Sequence, residues 1–232
     1  DGQANNSKRI KGCGQPMERL APSIWKCNNC EITETRTSQR DPLLNLGREA
    51  TLIAGGNRAG KTEIAAQLAV AWANGSKCFW VKQWMELNHI PEGIIPKNPS
   101  TVVVSALSYA DALTYVRPKI SKYAPLKETK HRKWRAQDRA SLLFENGGEI
   151  ISMSADSGRD KYQGFSASLI ILDEEHPRDI YDECLMRVVD TKGKIVLTMT
   201  PLKGLTWVYD LFIDKPIDGY VTHKIIGLDN PW

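Results

Sequence analysis

Gly55-Gly56-Asn57-Arg58-Ala59-Gly60-Lys61-Thr62 fills every fixed position of a G-x-x-x-x-G-K-[ST] phosphate-binding loop. Such a loop has one physical job. Its backbone N–H groups cradle a triphosphate, the lysine reaches the β- and γ-phosphates, and the final hydroxyl goes to Mg²⁺. The flanks agree with this reading. Thr51-Leu52-Ile53-Ala54 is a short apolar run suited to a buried strand, and Lys61 to Asn74 reads as a helix stopped by Gly75. Strand, glycine loop and helix N-terminus in that order put the positive end of the helix dipole on the phosphates.

A phosphate loop needs a carboxylate to complete a magnesium site. Leu169-Ile170-Ile171-Leu172-Asp173-Glu174-Glu175 supplies four aliphatic residues ending in acid. Four such residues make a central strand buried on both faces, which brings Asp173 to the carboxyl edge where α/β sheets bind ligands. A carboxylate one step further can deprotonate the water that attacks the γ-phosphate. Glu174 is the reading for that base, with Glu175 beside it as the alternative; the bland reading has these acids cap the helix after Pro177. A third run, Ile195-Val196-Leu197-Thr198-Met199-Thr200-Pro201, is another buried strand. Its terminal hydroxyls, Thr200 among them, stand where a γ-phosphate can be sensed. Arg58, inside the loop, either stabilises charge on the transferred phosphoryl group or pairs with a neighbouring acid.

The chain has 232 residues, 41% hydrophobic and 25% charged, which is ordinary for a globular protein. No apolar stretch approaches a membrane span, and the polar start Asp1-Gly2-Gln3-Ala4-Asn5-Asn6 does not read as a signal peptide, so no membrane partner is expected. The formal charge of +4 is mild. Its distribution says more, because residues 117–139 hold nine Lys/Arg against Glu128 and Asp138, with Tyr123 and Trp134 among them. Such a strip suits a phosphate backbone, or else a solvated helix face. Five cysteines, an odd number, argue for a reducing compartment over a disulfide framework.

The first forty residues differ from the rest. Cys27-Asn28-Asn29-Cys30 is one knuckle of a zinc ribbon, preceded by a strand at Ile24-Trp25-Lys26, and Cys13-Gly14 is half of the other, with Ile10 where the fourth ligand belongs. Structural Zn²⁺ wants four ligands, so Cys13, Cys27 and Cys30 fit a metal-free ribbon somewhat better than a closed site. From Gly47 onward strands and helices alternate. Strands are expected at Ser100–Ala106, Ser168–Asp173, Lys194–Thr200 and Tyr220–Ile226, and helices at Tyr109–Tyr123, Asp179–Val189 and Leu205–Phe212. A hairpin is expected around Asn146-Gly147-Gly148. Alternation of this kind implies a mostly parallel α/β sheet covered on both faces.

Taken together, these residues resemble the ATPase half of a tailed-phage terminase large subunit. The resemblance is carried by the loop at 55–62, by Leu169 to Glu175 preceded by Tyr162-Gln163-Gly164, by Gly193 to Gly204 with Thr206-Trp207-Val208-Tyr209-Asp210 behind it, and by Gly227-Leu228-Asp229-Asn230-Pro231. It implies a P-loop NTPase of RecA-like, ASCE type, with an extra strand between the strands of the first two motifs. It also implies ATP and Mg²⁺ at the loop and Asp173, water activation by Glu174, and coupling of hydrolysis to movement through Thr198 to Pro201. Such motors pump double-stranded DNA into procapsids as rings, usually pentamers. Their partners are a portal protein and a small terminase subunit, in the host-cell cytoplasm. They use an arginine donated between subunits, for which Arg159 is the candidate, and an adenine-reading glutamine, for which Gln39 is best placed. The implied organisation is a ribbon-like appendage at 1–40, the ATPase unit at 41–226 and the start of a linker at 227–232, with the family's nuclease not carried by this chain. A helicase-like translocase and a nucleotide-sensing module fused to a DNA-binding zinc ribbon are the competing readings.

Overall fold

The computed structural model describes residues 17–21, 24–27, 37–125, 134, 140–201 and 206–225. Strands β1 (Met17–Ala21) and β2 (Ile24–Cys27) pair antiparallel as a sheet of their own, and α1 (Thr37–Leu44) follows. The main sheet is built from β3 (Ala50–Gly55), β4 (Thr101–Ala106), β5 (Ala140–Leu143), β6 (Glu149–Ser154), β7 (Leu169–Asp173), β8 (Lys194–Met199) and β9 (Tyr220–Ile225). Its order is β5-β6-β4-β7-β8-β3-β9, parallel throughout except for β5, which forms the expected hairpin with β6. The strand between those bearing the first two motifs is β8, which ends in the third.

The central strands are apolar on both faces because both are covered. Ile53, Val102, Val104, Ile171 and Val196 point into one core. Their neighbours Leu52, Val103, Ile170, Leu172 and Leu197 point into the other, the parity expected of a pleated strand. The first core is dominated by α2 (Lys61–Asn74), in which all residues but Thr62 and Glu63 are buried. Its many alanines let the helix lie close on the sheet, and it stops at Gly75, whose φ of +76° is a conformation that favours glycine. Next comes α3 (Phe79–Leu87), tied to α2 by the Trp84 indole N–H donating to Gln67 Oε1 at 3.1 Å.

The helix expected at Tyr109–Tyr123 forms as α4 (Tyr109–Asp111), a π-helical turn (Ala112–Val116) and α5 (Arg117–Tyr123), started by Ser108 capping the Asp111 N–H. The other core is covered by α6 (Arg178–Val188) and by α7 (Trp207–Tyr209), which widens into a π turn over Asp210–Asp214.

Candidate active site

The loop leaves β3 at Gly55 and enters α2 at Lys61. To turn this sharply it places Arg58 at φ +62° and Gly60 at φ +91°. Arg58 is exposed, as are Gly56 and Asn57. The Lys61 ammonium lies beneath the loop, donating to the carbonyls of Gly55 at 3.0 Å and Gly56 at 3.1 Å and to Thr200 Oγ1 at 2.9 Å. Burial lowers its pKa, an effect opposed by Glu174 and Asp173.

Asp173 emerges at the carboxyl edge of β7. It accepts from Thr62 Oγ1 at 3.1 Å and from the buried Thr198 hydroxyl at 2.6 Å. Desolvation raises its pKa, and these two hydroxyls act against that rise. Glu174 follows at φ +71°, a conformation that costs a non-glycine residue about 1–3 kcal/mol and persists only where its surroundings impose it. Here they do. Its N–H donates to Thr198 O at 2.7 Å, and its carboxylate accepts from the Thr200 N–H at 3.0 Å and lies 3.1 Å from Thr200 Oγ1. Thr200 therefore stands between the lysine and the acid, and Asn57 Oδ1 is a further acceptor at 3.3 Å. The acids do more than cap α6, whose N-terminal flank is Pro177 with no side-chain cap.

Other expected residues fall elsewhere. Arg159 is held in its own chain by Glu183, at 3.0 and 3.2 Å, and Arg187 takes the other oxygen of that carboxylate at 3.1 Å. Gln39 falls in α1, but its side chain lies outside the described residues, as does that of Cys27 in β2. Cys13 and Cys30 lie outside them altogether. Among the described residues no group of three or more His, Cys, Asp or Glu could hold a metal ion.

Of the basic strip, the described part packs as α5 on α2. The Tyr123 hydroxyl donates to Glu63, and Lys122 pairs with the same carboxylate at 3.5 Å. Trp134 donates to Ser121 Oγ at 3.1 Å and receives the Arg117 guanidinium 5.6 Å from its ring centroid. One turn before Lys122, Lys119 lends positive charge to the site: it adds to the lowering of Lys61 and opposes the desolvation of Asp173. In the sequence Lys119 stands out only as part of a strip.

The N-terminal model of the T4-like-virus type of terminase large subunit matches residues 52–217, more than half of the chain. The chain belongs to this terminase family. Solved terminases share its fold. The large terminase of a thermophilic bacteriophage superposes with a TM-score of 0.60 at 15% identity, over 85% of this chain and 46% of that one. The complexes of that phage enzyme with ADP (TM-score 0.54, 14% identity, 83% and 46% covered) and with ATP-γ-S (0.53, 13%, 83% and 45%) align similarly. At these identities the likeness is one of fold. This terminase chain spans about half the length, 46%, of the thermophilic-phage terminase it matches. No curated protein sequence matches it.

Proposed function

We propose that the chain is the ATP-hydrolysing motor unit of a terminase that drives double-stranded DNA into a procapsid. The observation that carries this is the convergence of three strand ends. Lys61 and Thr62 meet Asp173, Glu174 and Thr200 through direct hydrogen bonds across sequence separations of up to 139 residues. The position of β8 between β3 and β7 supports the RecA-like, ASCE-type reading of the sheet.

The residues act as follows. Loop N–H groups and the Lys61 ammonium take the negative charge of the β- and γ-phosphates. The Glu174 carboxylate, aimed by Thr200, accepts a proton from a water whose oxygen attacks the γ-phosphorus. The bond to the β–γ bridging oxygen breaks, and ADP and phosphate leave. A hydroxyl and a carboxylate 3.1 Å apart are hard oxygen donors that suit Mg²⁺, and a cation would offset the desolvation that raises Asp173. Thr62 and Asp173 would hold it, and it would neutralise charge on the terminal phosphates.

Thr200 bonds both Lys61 and Glu174, so the Thr198–Pro201 exit of β8 is the element that couples phosphate occupancy to movement. On this reading residues 41–226 form the ATPase unit, with Arg58 at the phosphates, and Gln39, just ahead of that unit, is the residue assigned to read the adenine. Arg159 reaches a neighbouring subunit of a ring, usually a pentamer, on releasing Glu183. Portal protein and small terminase are the partners, in the host-cell cytoplasm. Zinc content of the purified chain tests the ribbon reading of Cys13, Cys27 and Cys30.

The test is phosphate release by the purified chain with ATP, with and without Mg²⁺, followed by packaging and duplex-unwinding assays with procapsid and DNA. Slow, Mg²⁺-dependent turnover and packaging without unwinding are expected. A chain that binds ATP but releases no phosphate under any of these conditions contradicts the proposal.

A further inference from the structure

The acidic run continues into His176, which the chemistry above leaves without a role. Its ring is buried, at 1% exposure, where the ends of β4 and β7 meet the turn Arg159–Tyr162. Nδ1 lies 3.0 Å from the Glu174 carbonyl oxygen, and Nε2 lies 2.8 Å from Ser105 Oγ, which in turn bonds the buried Tyr162 hydroxyl. A carbonyl can only accept, so the network assigns the proton to Nδ1; Nε2 then accepts from Ser105, and Ser105 from Tyr162. The main chain of His176 is pinned as well, its carbonyl accepting from the Trp207 indole N–H at 3.1 Å. Trp207 packs against Tyr181 with ring centroids 4.7 Å apart and the planes tilted by 37°.

Those bonds bear directly on Glu174. Its N–H is taken by Thr198 and its carbonyl by His176, so both polar atoms of its backbone are fixed while it sits at φ +71°. The direction of a side chain follows from its backbone. If the carbonyl were freed, the residue could relax to negative φ and swing its carboxylate away from Thr200.

We infer that His176 is a positioning residue for Glu174: its Nδ1–H clamps the backbone of the base, and Ser105, Tyr162 and Trp207 anchor the clamp to β4, to the Arg159–Tyr162 turn and to the segment after the third motif. This rests on the reading of Glu174 as the base. The turn that carries Arg159 is thereby joined to the base by three consecutive hydrogen bonds, from Tyr162 to Ser105, His176 and Glu174.

Two measurements on the full chain test it. Long-range ¹H–¹⁵N NMR of the His176 ring should show the Nδ1–H tautomer; an Nε2–H tautomer overturns the clamp whether or not ATP is turned over. In steady-state kinetics, His176→Ala should lower kcat by about a hundredfold, the scale of a misplaced reacting group, with KM for ATP within about threefold of wild type. His176→Asn, which offers an N–H near the Nδ1 position, should recover about tenfold of the loss. Ser105→Ala, which removes only the hydroxyl on Nε2, should lower kcat by about fivefold to tenfold and leave KM alone. In a Glu174→Gln background His176→Ala should cost nothing further. Equal rates for the Ala and Asn variants, or costs that add to that of Glu174→Gln, overturn the inference. A folded wild-type chain that binds ATP without hydrolysing it overturns the ATPase reading instead, and the tautomer still decides the clamp.

Discussion

At the exit of β3 the left-handed backbone angles fall on Gly60 at +91° and Arg58 at +62°; at the exit of β7 the residue at +71° is Glu174. The first turn works through its main chain, and the side chain of its own non-glycine residue at positive φ, Arg58, is exposed. Gly60 opens α2 without a side-chain cap, and the functional groups it offers are N–H donors and the lysine that follows. The second turn has to present a carboxylate at one point, so it carries a non-glycine side chain in a conformation glycine would adopt freely, and pins it with Thr198, Thr200 and His176. Binding a phosphate can be done by backbone alone, whereas activating water needs a titratable side chain. At Glu174 the backbone strain coincides with the chemistry.

In the first turn both binding and turnover should fail together. Lys61→Ala removes the cation that spans Gly55, Gly56 and Thr200. It should weaken ATP binding and cut turnover by about a hundredfold or more, read by a fluorescent ATP analogue and phosphate release. Loss of turnover with untouched affinity would assign binding to the loop backbone alone.

The second turn should show itself in pH. Burial holds the His176 ring down at about 4, against about 6.5 when unfolded. The unfolded chain therefore binds the extra proton first, and the contribution of His176 to stability is full above about pH 6.5 and lost as pH falls through 4, by about 3 kcal/mol. Urea unfolding of wild type and His176→Asn at pH 7 and at pH 4.5 should show the wild type losing more over that interval; parallel losses would place the ring in contact with water.

Two substitutions at similar angles should then differ. Gly60→Ala puts a Cβ at φ +91° and should cost about 1–2 kcal/mol. Glu174→Gly relieves the same kind of strain while losing the bonds to Thr200, so the net change in stability should stay within about 1 kcal/mol although turnover is lost. Matched destabilisation at both positions would mean that Glu174 is not strained.

The first turn was legible because its fixed positions are glycine, lysine and threonine at set spacing. The sheet was legible because β-branched and aliphatic runs such as Thr101–Ala106 and Leu169–Asp173 read as strands buried on both faces. What was missed was short or depended on distant contacts. The helix α3, Phe-Trp-Val-Lys-Gln-Trp-Met-Glu-Leu, is nine residues long, and an apolar run of that length does not declare its period. In α1 an internal Pro42 hides the helix.

The widening at Ala112–Val116 and the shift of the last helix to Trp207–Asp214 leave no mark in local propensity. At the site, Asp173 and Glu174 were visible as an acid pair. Lys119 was hidden among nine basic residues, and His176, though next to the acids, gains its meaning from Ser105 and Tyr162, distant in the chain.

The most direct measurement is Glu174→Gln set beside wild type, with ATP-analogue affinity and Mg²⁺-dependent phosphate release measured on the same preparations. Glutamine keeps the size and can still hydrogen-bond Thr200 but cannot take a proton from water. Affinity should stay within about threefold while turnover falls by about a hundredfold to ten-thousandfold. Hydrolysis at the wild-type rate would contradict the assignment of the base and, with it, the account of the β7 exit as the catalytic end of the sheet.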